Sequence, residues 1–156
     1  MPLTMSLVSS PLTHSMIAVA ERRLGFGLPA PYQRFLLRYN GGRPALCLFP
    51  IRWVDSTLQA QYPDGMLDVF LCLCDGQQTD LFHRIEVYRE RIPADLMPIA
   101  DDPGGSLILL GVQGARTGQV WFWSHDYEVD EEETPDDRNL GLIAPDFDAF
   151  LTLLHD

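Results

Sequence analysis

The stretch LMPIADDPGGSLILLGVQGARTGQVWFWSHD, Leu96–Asp126, decides the fold. It reads as strand, tight turn, strand, loop, strand. Leu96–Ala100 is short and apolar. Asp101-Asp102-Pro103-Gly104-Gly105 then supplies turn chemistry: aspartates that bond nearby backbone, a proline with fixed φ, and glycines free to adopt positive φ. Leu107–Val112 carries apolar side chains on both faces, which predicts a central strand covered on both sides. Gly114–Gly118 predicts a hairpin loop. Gln119–His125 alternates, with Val120 and Phe122 on one face and Trp121, Trp123 and His125 on the other.

Helical patterns flank this block. From Thr13, a plausible N-cap, Ile17, Ala20 and Leu24 recur at helical spacing until Gly25 stops the run. Pro29 and Pro31 suit the entry and first turn of a second helix, where a missing N–H costs little. Its apolar face is Tyr32, Phe35, Leu36 and Tyr39, and Asn40-Gly41-Gly42 is its stop signal. Ala45–Pro50 and Met66–Cys74 read as strands, while Ile51–Gly65 is ambiguous and holds the turn Tyr62-Pro63-Asp64-Gly65. Thr79–Arg91 predicts a helix with a Leu81, Ile85, Tyr88, Ile92 stripe, ended by Pro93. After the block, Asn139–Ala144 predicts a last strand and Pro145–Leu154 a last helix, with Asp146 as N-cap. Residues 1–11 read as a loose lead-in, and residues 12–156 as one α+β domain.

Charge narrows the function. The 156 residues carry a formal net charge of −11. A surface of that sign lacks the basic patch that phosphate contacts need and is repelled by anionic membranes. It suits a basic protein partner, or solubility alone. All 11 cationic residues are arginine, so lysine-based chemistry is absent. The cysteines, Cys47, Cys72 and Cys74, are odd in number and lack metal-ligand spacing. They are expected to be reduced and packed as small hydrophobes, with Cys72 and Cys74 on one strand face. No secretory pattern and no apolar run of about 20 residues is present, so a cytoplasmic location is expected.

Three separated segments resemble the SMI1/KNR4 family, also called the SUKH superfamily. The first is Leu24–Gly42, with Leu-Gly, Leu-Pro, an aromatic-rich helix and Tyr39-Asn40-Gly41-Gly42. The second is Leu96–Gly105 followed by Ser106-Leu107-Ile108. The third is Gly118–Asp126, an aromatic strand ending in Trp123. The final helix, Phe147–Leu154, matches in place and character. Two features depart from the family pattern: Ser106 stands where Asn is frequent, and Asp130–Asp137 is a local acidic elaboration. The resemblance implies an α+β fold with a mixed, mostly antiparallel central sheet flanked by helices. It also implies an immunity protein that binds and neutralises a cognate toxin domain. Fungal relatives instead imply a regulatory scaffold in cell-wall or envelope synthesis. Neither role requires catalysis.

Few residues point to chemistry. Asp101 and Asp102 read as a divalent-cation pair or as turn residues; two carboxylates on one turn do not complete a cation site. His83 lies three residues after Asp80, and His125 adjoins Asp126. With Asp101 and Asp102 they outline a third possibility, a small-molecule or hydrolytic role. No matched triad or nucleophile elbow accompanies them. Trp121 and Trp123 read either as core or as an interface anchor. Asp126–Asp137 holds eight carboxylates in twelve positions and is expected to be a solvated loop able to steer a basic partner. The partner-facing set expected from the sequence is Asp101, Asp102, Asp126, Glu128, Asp130, Glu131, Glu132 and Glu133. No catalytic residue, metal or cofactor is assigned.

Overall fold

The computed structural model describes residues 3–156; Met1 and Pro2, the first residues of the expected lead-in, lie outside the described residues. In chain order the elements are β1 (Met5–Ser6), α1 (His14–Leu24), α2 (Ala30–Arg38), β2 (Arg43–Pro44), β3 (Leu48–Pro50), β4 (Arg52–Trp53), α3 (Ser56–Gln61), β5 (Asp64–Met66), β6 (Val69–Phe70), α4 (Leu81–Tyr88), β7 (Leu96–Asp101), β8 (Leu107–Gly111), β9 (Val120–Trp123), β10 (Leu140–Ala144) and α5 (Phe147–Leu153). Six strands form one sheet in the order β4-β10-β9-β8-β7-β6, antiparallel at every pairing. A parallel bridge, Cys72 to Asp80, lies outside it. Two ribbons, β1–β2 and β3–β5, complete the pairing.

Leu96–Asp126 supplies the middle of this sheet, β7, β8 and β9. Strand β8 lies between β7 and β9 and is buried along its whole length. Its side chains divide by parity. Ile108 and Leu110 join the main core with Val120 and Phe122, against Tyr32, Phe35, Phe147 and Phe150 of α2 and α5. Leu107 and Leu109 face the other way, with Trp123, Leu140, Leu96 and Ile92 under Tyr88. An apolar run with no polar face is what a strand sandwiched in this way requires. Trp123 is buried and stacks edge-on with Tyr88 at 5.6 Å, while Trp121 is partly buried. Both tryptophans therefore belong to the second core. Gly141 on β10 has no room for a side chain, since a Cβ would run into Ile51.

The helix ends follow local chemistry. Thr13 accepts from the Met16 N–H at 3.2 Å, Gly25 closes α1 at φ +87°, and Asp146 accepts from the Ala149 N–H at 2.8 Å. The Asn40-Gly41-Gly42 stop works differently from expectation. Tyr39 is already extended, so Asn40 is not a left-handed cap. Its side chain instead clamps Leu73, accepting from the Leu73 N–H at 2.8 Å and donating to the Leu73 carbonyl at 3.0 Å. Gly41 and Gly42 take φ of +75° and +109°, and a Cβ on Gly41 would press on Cys72 and the Phe70 carbonyl. The turn thus docks against the chain near β6.

Four sequence expectations change. Met66–Cys74 is not one strand: Met66 belongs to the β3–β5 ribbon, and only Val69–Phe70 joins the main sheet. The chain bends at Leu73, and the Cα atoms of Cys72 and Cys74 come to 5.3 Å, so the two cysteines do not share one face of a continuous strand. Residues two apart on a strand would be about 6.7 Å apart. Helix α4 ends at Tyr88, earlier than Arg91, which frees Arg91 for an ion pair. Residues 5–6 and 9 of the lead-in segment are paired, β1 with β2 and Ser9 with Asn40. Among the described residues no helix is long and apolar enough to cross a membrane.

Candidate partner-binding surface

The acidic segment leaves the sheet at the end of β9 and returns at β10. A single 3-10 turn, His125–Tyr127, starts it. Glu128 then meets Arg91 in a fork, with Nη2 to Oε1 at 2.7 Å and Nε to Oε2 at 3.2 Å. A tight turn follows, with the Glu133 N–H donating to the Asp130 carbonyl at 2.9 Å. At the far end Arg138 grips Asp136 at 2.9 Å and Glu133 at 3.2 Å. Arg116 reaches Asp137 at 3.0 Å while holding Asp95 with two 2.7 Å bonds. The segment is therefore tethered at its start and its end. Four of its carboxylates go into the tethers, and Asp130, Glu131 and Glu132 form no ion pair among the described residues.

The expected partner-facing residues divide accordingly. Asp101 lies on β7 and pairs with Arg84 at 2.7 Å, with about one-fifth of each side chain exposed. Burial raises its carboxyl above the ordinary aspartate range, and Arg84 pulls it back only in part. Asp102 is the turn residue: its Oδ1 accepts from the Gly104 N–H at 2.9 Å and the Ser106 N–H at 2.6 Å. Glu128 is committed to Arg91. Asp126, Asp130, Glu131, Glu132 and Glu133 are exposed. The structure thus places Asp101 and Glu128 in internal ion pairs, commits Asp102 to its turn and Glu133 to Arg138, and leaves Asp126, Asp130, Glu131 and Glu132 exposed outside these contacts.

Several concavities adjoin this segment, two of them relevant to partner binding. On one side an open groove of about 1000 Å³ runs between the end of α4 and residues 128–133, lined by Glu86, Glu90, Asp130 and Glu131. On the other side a smaller cleft of about 350 Å³ opens between the β3–β5 ribbon and the ends of β8 and β9. Trp53 and Phe122 lie in it, stacked edge-on at 5.5 Å, and Ser106 and Ser124 add hydroxyls. Tyr62, Met66 and Tyr127 line it too, with Asp64, Asp102 and Asp126. Sequence reasoning missed Tyr62, Asp64 and Met66. The signal was present in Tyr62-Pro63-Asp64-Gly65, a turn bearing an aromatic and a carboxylate, but their meeting with Asp102 and Tyr127 depends on long-range pairing. A third cavity, of about 370 Å³, lies between α1 and the end of α4, and Arg23 stacks on Phe82 in its wall at 3.8 Å.

The residues of the hydrolytic possibility are not assembled. His83 is exposed on α4 and does not line the cleft that holds Asp102 and Asp126. His125 meets Asp126 at 3.4 Å on an exposed turn. The Ser106 hydroxyl accepts from the His125 backbone N–H at 3.0 Å, which ties the ends of the two strands together. Among the described residues no group of three or more His, Cys, Asp or Glu side chains is arranged to hold a metal ion.

Comparison with known proteins agrees with this architecture. The model of the SMI1 / KNR4 family (SUKH-1) matches residues 11–153. A relative, the SPbeta prophage-derived uncharacterized protein YokK of Bacillus subtilis (strain 168), is 26% identical over 158 residues, covering 92% of this chain and 75% of its own length.

Proposed function

Since the chain belongs to the SMI1/KNR4 family (SUKH-1), we propose that it is a non-catalytic protein-binding domain serving as an immunity protein, which binds a basic toxin domain and neutralises it. One observation carries this reading beyond family membership. The acidic segment is fastened at both ends by arginines, at Arg91–Glu128 and at Arg116–Asp137 with Arg138, while Asp130, Glu131 and Glu132 are exposed and form no ion pair among the described residues. A tethered loop loses less conformational freedom on binding than a free one. Outward carboxylates raise the encounter rate with a basic surface and disfavour acidic competitors. Blocking a toxin in this way needs contact area and charge, and no reacting group. The proposed place of action is the cytoplasm.

Co-expression with the toxin-domain gene encoded beside this one tests the proposal. Growth should be rescued, and the two chains should co-elute on gel filtration. Continued toxicity with no complex would overturn the immunity reading.

A further inference from the structure

The cleft between the β3–β5 ribbon and the ends of β8 and β9 gathers exposed aromatic rings and carboxylates. Tyr62, Met66 and Tyr127 are 48%, 44% and 40% exposed, and all three stand in this one concavity. A lone exposed hydrophobe is ordinary; several gathered in one cleft mark a contact site. The two tyrosines act as a unit. Their ring centroids are 6.1 Å apart, and the Tyr127 hydroxyl donates to that of Tyr62 at 3.3 Å. Behind them the Trp53 indole N–H donates to the Tyr62 carbonyl at 2.6 Å. The aromatic wall is thus anchored to the sheet.

Three carboxylates surround that wall. Among the described residues Asp64 and Asp102 form no ion pair, and Asp126 meets only His125. Asp102 uses Oδ1 for its turn, which leaves Oδ2 for another donor. The local charge is therefore negative, next to aromatic faces that attract cations. A guanidinium fits this combination better than an ammonium does. It is flat and weakly hydrated, stacks on aromatic rings, and donates in a fork to carboxylates, while its aliphatic stem can lie along Met66. A volume of about 350 Å³ is at the small end for a ligand site and suits one long side chain.

We propose that this cleft receives a single arginine side chain of the protein partner. The inference rests on the partner-binding reading above and specifies the chemistry that the cleft recognises. Acetyl-arginine-amide is the probe, titrated into the isotope-labelled full chain and followed by NMR. Saturable shifts are expected at the Trp53 indole N–H and at Met66 and Tyr127. The neutral isostere acetyl-citrulline-amide should give none, and acetyl-lysine-amide should bind about tenfold more weakly. The double variant D64N/D126N, with its folding checked by its own spectrum, should weaken arginine binding by about tenfold. Absence of a saturable response, an equal response to citrulline or lysine, or binding unchanged in the double variant would each overturn the proposal. No toxin is needed for the titration. Rescue of growth without arginine binding would remove the pocket and leave the immunity reading standing, and arginine binding without rescue would do the reverse.

Discussion

Glu128 accepts two hydrogen bonds from the Arg91 guanidinium, whose carbon sits 4.4 Å from the Tyr88 ring centre and 5.8 Å from that of Trp123. One arginine thus joins the acidic segment, the end of α4 and the second core. The bond to Glu128 raises the arginine's already high pKa, so the pair stays charged. Its side chains are 36% and 23% exposed, which makes it a partly screened pair with good geometry.

Replacing Arg91 by methionine keeps much of the stem's packing and removes the fork. The loss expected is about 1 kcal/mol of stability, the upper range for such pairs. The sharper expectation is local: amide hydrogens of residues 128–133 should exchange faster while those of β8 do not. Hydrogen exchange read by mass spectrometry checks this, and unchanged protection at 128–133 would show that the tether is unnecessary.

Asp95 gives the fold a pH dependence at its acid end. The bonds from Arg116 hold its carboxyl below the usual aspartate range. The depressed pKa means that the folded state binds the proton less tightly than the unfolded chain does. The contribution is present above the unfolded value of about 3.9 and fades as pH falls through the lower folded value. Asp95→Asn should therefore cost about 1 kcal/mol near neutrality and less at pH about 2. Urea melts of both proteins at these two pH values measure the difference. A gap that does not narrow in acid would assign the loss to packing.

Much of the fold was legible because its signals are local. Leu107–Val112 declares a doubly covered strand by having no polar face, and Thr13, Gly25 and Asp146 declare helix ends by their own bonding. The errors fall where distant chain decides. Met66–Cys74 has strand composition, yet Asn40, more than thirty residues earlier, clamps Leu73 and bends the run. Asp101 and Asp102 look equivalent in sequence, but one ends a strand beside Arg84 and the other caps a turn. The cleft was the least legible part. Tyr62 and Tyr127 meet across 65 positions of chain, through pairings that no local pattern encodes.

Tyr32 lies wholly in the core, edge-on to Phe147 at 5.3 Å, and its hydroxyl has no hydrogen-bond partner among the described residues. Burial raises its phenol pKa far above the ordinary value. Tyr32→Phe removes an unsatisfied buried group at nearly constant shape and should stabilise the protein by about 1 kcal/mol. The unfolded phenol ionises near pH 10 while the buried one stays protonated, so the wild-type protein should lose stability as pH rises above about 10. The variant should lose less. Denaturant melts at pH 8 and 11 give both numbers, and destabilisation by the phenylalanine would mean that the hydroxyl is satisfied after all.

The outward carboxylates give the last test. Asp130, Glu131 and Glu132 are exposed and hold no ion pair among the described residues, so neutralising them as D130N/E131Q/E132Q should leave the melting curve in place. Glu133 belongs to a different class, because it also braces Arg138 at 3.2 Å; adding E133Q should loosen the end of the segment. If the segment steers a basic toxin, the triple variant should associate more slowly at low salt, and its association rate should depend less steeply on ionic strength. The dissociation rate should change far less, since exposed rim charges act mainly on encounter. Stopped-flow association across a salt series separates the two rates. Equal slopes for the wild-type and triple-variant proteins would limit these three residues to keeping the chain in solution and leave recognition to the aromatic cleft on the other side of the segment.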